Sequence, residues 1–231
     1  SEDEEKLARE AAAARRMGVS ASIERNIEIP VPCAGAVCFP GQARFHPLRF
    51  LEALAGRLTI YEDSRVIEAE DHLVRTAGGS VQADKIVFAV HFPYINFPGM
   101  YFARMHQERS YVLALENCGS IRGMYIGEGE RALSFRQYGP YLLLGGQGHR
   151  AGENREGGRY ERLKEIALTL YPESRIMACW SAQDCMSADR IPFVGQYAGN
   201  RPHWLAAPGF GMWGMSSSLT AAMLLRARIC G

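Results

Sequence analysis

The sequence reads as an α/β (α+β) fold. It has an antiparallel, sheet-rich part with covering helices, and a second part built around an apolar strand and a glycine-rich loop. Three observations carry this reading. Four strand-like runs follow one another at short, regular spacing between Tyr111 and Gly145. Helical patterns occur near the N-terminus, at residues 48–54, at 160–171 and near the C-terminus. Lys85-Ile86-Val87-Phe88-Ala89-Val90 is a nearly continuous apolar run, the pattern of a strand buried on both faces.

Element by element, Glu4–Met17 is alanine-rich and free of β-branched residues, and Gly18 follows as a stop, so a helix is expected. Val19–Val31 runs into Pro30 and Pro32 and suits an extended segment at a sheet edge. Cys38–Gln42 reads as a turn. His46-Pro47 opens a second helix with proline in its first turn; Leu48, Leu51 and Leu54-Ala55 share a face, and Gly56 ends it. Leu58–Tyr61, Arg65–Ala69, Leu73–Thr76 and Val81–Ala83 read as short strands, with Ala77-Gly78-Gly79-Ser80 as a hairpin turn.

The mid-chain strands are expected at Tyr111–Glu116, Ile121–Ile126, Ala132–Tyr138 and Tyr141–Gly145. Their spacing leaves no room for parallel crossovers. Gly148–Gly158 is a charged loop, Tyr160–Tyr171 a helix with Leu163, Ile166, Ala167 and Leu170 on one face, and Ser174–Ala182 a strand. His203–Ala207 is strand-like and Leu219–Ile229 helix-like.

Composition bounds the function. The 231 residues carry 26 basic and 25 acidic side chains, so no charge excess points to nucleic acid or an acidic membrane surface. No apolar run approaches a membrane span, and the acidic start Ser1–Glu5 is unlike a secretory signal. The six cysteines show no C-x-x-C and no zinc spacing. Free thiols in a reducing, cytoplasmic setting and no metal site are the expectation.

Gly209-Phe210-Gly211-Met212-Trp213-Gly214 is a literal G-x-G-x-x-G between a strand-like and a helix-like run. A dinucleotide unit needs a further strand and an acid about 20 residues on. Only 17 residues follow Gly214, none of them Asp or Glu. The glycines therefore serve some other close approach of backbone to ligand or packed element.

Taken in order, several segments resemble the flavin-dependent amine and amino-acid oxidase superfamily of glycine, sarcosine and D-amino-acid oxidases. They are Gly41–Pro47 with its helix, Ser64–Ala69, Val81–Val90, Asp189-Arg190-Ile191-Pro192-Phe193-Val194-Gly195, and Trp204–Met215. Together they cover most of residues 35–231. Trp180–Asp184 and Trp213–Met215 look closest to members with a Rieske iron–sulfur domain. The chain departs from the family in three places. No family-type first strand, glycine motif and ribose-binding acid precede residue 41; His91-Phe92-Pro93 replaces a small residue and Trp; and Ser216 stands where some relatives have lysine.

The resemblance implies FAD as cofactor of a longer parent, with this chain a fragment that does not retain FAD by itself. It implies residues 1–40 and 96–180 as a substrate domain and 41–95 with 181–231 as a partial FAD-binding domain. It implies flavin contacts from Val66, Ala89, Val90, Gly209, Phe210, Gly211, Met212, Trp213, Gly214 and Met215. The helix that follows would aim its partial positive charge at the flavin. Partners would be a small amine or amino-acid substrate, the missing N-terminal nucleotide-binding unit and a Rieske domain.

The activity implied is hydride transfer from the substrate α-carbon to flavin. No catalytic side chain is identified. A stand-alone, non-catalytic binding or assembly module derived from the same fold is the alternative. Arg136 and Arg150, with Arg122, are candidates for a substrate carboxylate, and His149 for the pocket wall. Each has a plain reading as a solvated surface group. Cys185 lies near where some relatives attach flavin covalently but is offset, and reads as an inert thiol. Phe135, Tyr138 and Tyr141 read as core or pocket wall.

Overall fold

The computed structural model describes residues 2–129, 132–153 and 157–231. The described chain divides into two compact units. The first is drawn from Ser1–His46, Tyr111–Gly148 and Gly157–Ser181, the second from Pro47–Ser110, His149–Glu156 and Ala182–Gly231.

The first unit opens with helix α1 (Glu2–Arg16), which stops where Gly18 turns left-handed at φ 80°. Strands β1 (Ser22–Glu24) and β2 (Ala36–Cys38) then pair antiparallel. Only glycine fits at position 35, since a Cβ there would lie 2.8 Å from the Glu24 carbonyl oxygen. The turn expected at Cys38–Gln42 thus begins one residue late, because Cys38 pairs with Ser22.

The second unit begins with α2 (Pro47–Ala55), then β3 (Val66–Glu70), β4 (Leu73–Thr76) and β5 (Gly79–Gln82), a three-stranded antiparallel sheet. The expected strand at Leu58–Tyr61 is absent. Arg57 and Leu58 donate back to the Leu54 and Ala55 carbonyls as the helix unwinds, and no neighbouring strand pairs with the run. β6 (Ile86–Phe88) follows. It is not buried on both faces as expected: Ile86 and Phe88 are buried but Val87 is 40% exposed.

Five strands make the large sheet: β7 (Met105–Glu116), β8 (Tyr125–Ile126), β9 (Ser134–Tyr138), β10 (Tyr141–Arg150) and β11 (Arg175–Ser187). They lie in the order β11-β7-β10-β9-β8. β9 pairs antiparallel with both β8 and β10. Helix α3 (Arg159–Leu170) contributes Leu163 and Ala167 to the first unit's core, with Leu113, Leu115, Phe135, Leu142 and Leu144 from the sheet. The helix thus covers the sheet through its one apolar face, as expected.

The expected strand Ile121–Ile126 is reduced to its last two residues, because side chains take its first backbone donors. Gln137 Oε1 accepts from Ile121 N–H, and Glu28 Oε2 accepts from Arg122 and Gly123 N–H. The loop expected at 148–158 starts later, since β10 runs to Arg150; its residues 154–156 lie outside the described residues.

The second unit closes with β12 (Gly195–Gln196), β13 (Trp204–Ala206) and helix α4 (Gly214–Cys230), which starts five residues before the helix-like run. β13 pairs parallel with β6, Trp204 opposite Ile86 and Ala206 opposite Phe88. Ile86, Phe88, Tyr101, Met105, Cys185, Tyr197, Trp204 and Ala206 form this unit's core. Among the described residues, no helix is long and apolar enough to cross a membrane.

Candidate functional site

The parallel pair β6/β13 sets up the site. Two parallel strands end at the same edge, and the loops leaving that edge are where α/β sheets place ligands. Ala207 N–H donates to the carbonyl of Phe88, the last residue of β6, at 3.1 Å, so the pairing continues one residue beyond β13. Ala89-Val90 on one side and Pro208-Gly209 on the other therefore leave the sheet together. These include Ala89, Val90 and the first glycine of the motif. Val66 sits elsewhere in the unit, opposite Thr76 in the three-stranded sheet.

The Gly209–Met215 loop turns sharply. Gly209 has φ 79° and Gly211 φ 59°, left-handed values that disfavour a side chain. A Cβ on Gly209 would stand 3.1 Å from Met105 Sδ and 3.4 Å from Phe193. On Gly211 it would stand 3.4 Å from Met186 Sδ. Gly214 differs: it is helical, and a Cβ there would meet only Phe210 Cβ at 3.7 Å. The left-handed backbone explains the first two glycines, with tight packing added at Gly209, and neither explains the third.

A short 3₁₀ turn (Gly211–Trp213) leads into α4, and no side chain caps the helix N-terminus. Ser216 and Ser218 instead donate back to the Trp213 and Met215 carbonyls. The first amides of α4 are left for a ligand or water, and they carry the positive end of the helix dipole. Met212, Trp213 and Met215 stand exposed on this short stretch, at 58%, 62% and 44%. Such a patch marks a surface made to be covered.

β11 borders the loop, through a bridge between Met186 and Phe210. Cys185 is buried with Sγ 3.7 Å from Met105 Sδ, and burial raises its thiol pKa although the Gly209 N–H opposes this. That suits an inert thiol.

Asp184, two residues before Met186, is a titratable group that no motif spacing marks as a site residue. Burial raises its carboxyl pKa; nearby His91 opposes the shift and Glu108 adds to it. His91 directly follows Val90.

The arginine candidates fall into different settings. Arg136 lies on β9 in the first unit. Its Nη2 donates to the Phe45 carbonyl at 3.1 Å, while its buried Nε has no hydrogen-bond partner. Beside it, Arg44 donates to the Gln137 carbonyl at 3.2 Å and Tyr138 Oη lies 3.4 Å from His46 Nε2. The Arg44–His46 segment is thereby held along β9. Arg150 pairs with Glu153 at 3.3 Å on the surface of the second unit, and its neighbour His149 is half-buried. Arg122 serves Glu28 instead, at 3.2 Å. Phe135 is core, and Tyr138 is half exposed. Among the described residues, no cluster of three or more His, Cys, Asp or Glu could hold a metal ion.

Comparison with known proteins agrees with this architecture. The model of the family described as FAD dependent oxidoreductase (DAO) matches residues 1–228. YhfW of Bacillus subtilis (strain 168), a protein named for a Rieske 2Fe-2S iron–sulfur centre, is 31% identical across 96% of the chain. The chain spans 46% of YhfW, about half the length of that relative. Glycine oxidase from Geobacillus kaustophilus superposes with a TM-score of 0.79 at 18% identity, over 97% of this chain and 67% of that one. L-proline dehydrogenase from P. horikoshii gives 0.77 at 16% identity, over 98% and 69%. These two share the fold. The match of the family model over nearly the whole chain shows that the chain belongs to the FAD-dependent oxidoreductase family.

Proposed function

We propose that this chain forms the substrate sheet and part of the flavin site of an enzyme that oxidises a small amine or amino acid. The observation that carries the reading is the loop at the carboxyl end of β6/β13, with its two left-handed glycines and uncapped helix. The residues fit a flavin. Backbone amides at Gly214 and beyond are unclaimed by side chains, Gly214 keeps the backbone bare where a Cβ would touch only Phe210, and Met212, Trp213 and Met215 offer apolar cover. Ala89, Val90 and Gly209–Met215 would hold the ring system, and Val66 the adenine end. When bound, the flavin supplies the acceptor for the hydride that leaves the substrate α-carbon.

The chain's own residues do the rest. The α4 N-terminus stabilises negative charge that develops against the loop. Arg136, with a buried Nε lacking a partner, is suited to grip a substrate carboxylate in the fork geometry of a guanidinium. His149 and Arg150 line the approach in this reading. Asp184, whose carboxyl pKa burial raises, can take a proton from a substrate ammonium in this reading.

The glycine oxidase and proline dehydrogenase names support an amine or amino acid as substrate class. The YhfW name supports a Rieske domain as partner. The longer lengths of these relatives support a further nucleotide-binding segment that makes the diphosphate and ribose contacts. In this reading residues 1–40 and 96–180 form the substrate domain, and 41–95 with 181–231 the flavin part.

The test is anaerobic reduction of bound flavin in the full-length gene product by a panel of small amines and amino acids. At least one should reduce it. Arg136→Gln should raise KM by about tenfold or more for carboxylate-bearing substrates, the worth of one charge-assisted pair, and leave plain amines little changed. Reduction by nicotinamide nucleotides but by no amine would overturn the reading.

A further inference from the structure

Within the second unit, Tyr101, Arg104, Phe193, Tyr197 and the Gly195–Gly199 backbone line a cavity of about 450 Å³. That volume suits a small-molecule ligand. Its charge is one-sided: Arg104 is the charged residue of the wall, and no acidic residue lines it. Arg104 has no carboxylate partner among the described residues; its side chain donates to the Gly99 carbonyl at 2.8 Å and also hydrogen-bonds Tyr101. A guanidinium has five donors, so most of them are left for something else. A second arginine stands behind the wall, where Arg228 donates to the side chain of Gln196 at 3.2 Å.

The arginine is also held in place. Its guanidinium carbon lies 4.7 Å from the Tyr101 ring centre and 4.8 Å from that of Phe193, within cation–π range of both. The two rings meet edge-on at 79°. Tyr101 Oη donates to the Tyr197 carbonyl at 3.0 Å, and the Arg104 carbonyl accepts from Ala188 N–H at 3.0 Å. Gly99 lets this wall close, since a Cβ there would lie 2.5 Å from the Tyr197 ring. Fixing the guanidinium beforehand spares a ligand the entropy of ordering it.

We propose that this cavity binds a small ligand through a carboxylate or phosphate group held by Arg104. The site is separate from the glycine loop and does not depend on the functional reading of that loop. The two share one element: the Phe193 ring stands under Arg104 on one side and 3.4 Å from the Cβ position of Gly209 on the other.

The test uses the full chain at constant ionic strength, titrated with inorganic phosphate in one arm and acetate in the other. Backbone amide NMR shifts provide the readout. Saturable shifts confined to Gly99, Arg104 and Gly195–Gly199 are expected in at least one arm, and the arm that binds more tightly names the group. Arg104→Gln should weaken binding by about tenfold or more, as loss of a charge-assisted pair requires, and Arg104→Lys by less.

Because Arg104→Gln could disturb its aromatic neighbours, Gly199→Asp provides a second variant. Position 199 has nothing within 4 Å of an added Cβ, so this change brings a negative charge to the wall without a clash. It too should weaken binding by about tenfold or more. Absence of saturable shifts in both arms, or unchanged affinity in either folded variant, overturns the proposal.

Discussion

Glu28 shows how one side chain can organise a loop. Its carboxylate accepts from the Gly123 and Arg122 backbone amides, from Arg122 Nε and from Tyr125 Oη. The Gly123 amide leads in lowering its pKa from 4.5 to about 2. A depressed carboxylate contributes stability above its unfolded value and loses it as pH falls through the folded one. Wild type should therefore lose stability between about pH 4.5 and 2, and Glu28→Gln should flatten that part of a denaturation-against-pH profile. A variant profile parallel to wild type would contradict the assignment.

The glycine loop separates packing from function in the same way. Gly209→Ala meets both a left-handed backbone and the Met105 sulfur, so a loss of about 1–2 kcal/mol in unfolding free energy is expected. Gly214→Ala meets neither and should leave stability unchanged within about 0.5 kcal/mol.

At the scale of elements, the sequence was most legible where local signals decide. Gly18, Pro47 and Gly56 mark helix ends correctly, and the hairpin between β4 and β5 is found, though the turn expected over Ala77–Ser80 tightens to Ala77-Gly78 because Gly79 and Ser80 pair with Thr76 and Arg75. It failed where a distant group competes for the backbone, as Glu28 and Gln137 do for residues 121–123. It also failed where a β-prone run has no neighbour, as at Leu58–Tyr61. Spacing could not show that β7 joins β10 and β11 rather than its sequence neighbour β8, because pairing across the sheet is long-range information.

Of the candidate site, the loop was legible from its glycines. Asp184 was not, since a lone acid in a strand carries no spacing signal.

Two helices also leave apolar faces bare. Met215, Leu219 and Met223 recur every four residues along α4, and Leu48, Leu51 and Leu54 every three along α2; all six are exposed. The chain by itself should bind a hydrophobic dye such as ANS. Leu219→Glu with Met223→Glu should reduce that fluorescence without lowering the melting temperature. Undiminished dye binding, or a clear loss of stability, would show that the α4 face is already packed.

At the scale of the whole molecule, the family fold brings the loops leaving β6 and β13 to one edge and grows a helix from the second of them. In the proposed function the Gly209–Met215 backbone meets the flavin. Retention of FAD is a separate matter. It calls for diphosphate and ribose contacts that the proposed nucleotide-binding segment would make, so the purified chain alone should carry no flavin absorption.

The most direct test is FAD affinity of Gly214→Val in the full-length gene product, with the melting temperature of the apo form measured alongside. Gly214 is the one glycine of the loop that neither backbone angle nor packing requires, so folding has no stake in it. A loss of about tenfold or more in affinity, with a melting temperature within about 2 °C of wild type, is the expected result. Unchanged affinity in a folded variant would contradict the claim and leave the loop as packing between strand and helix.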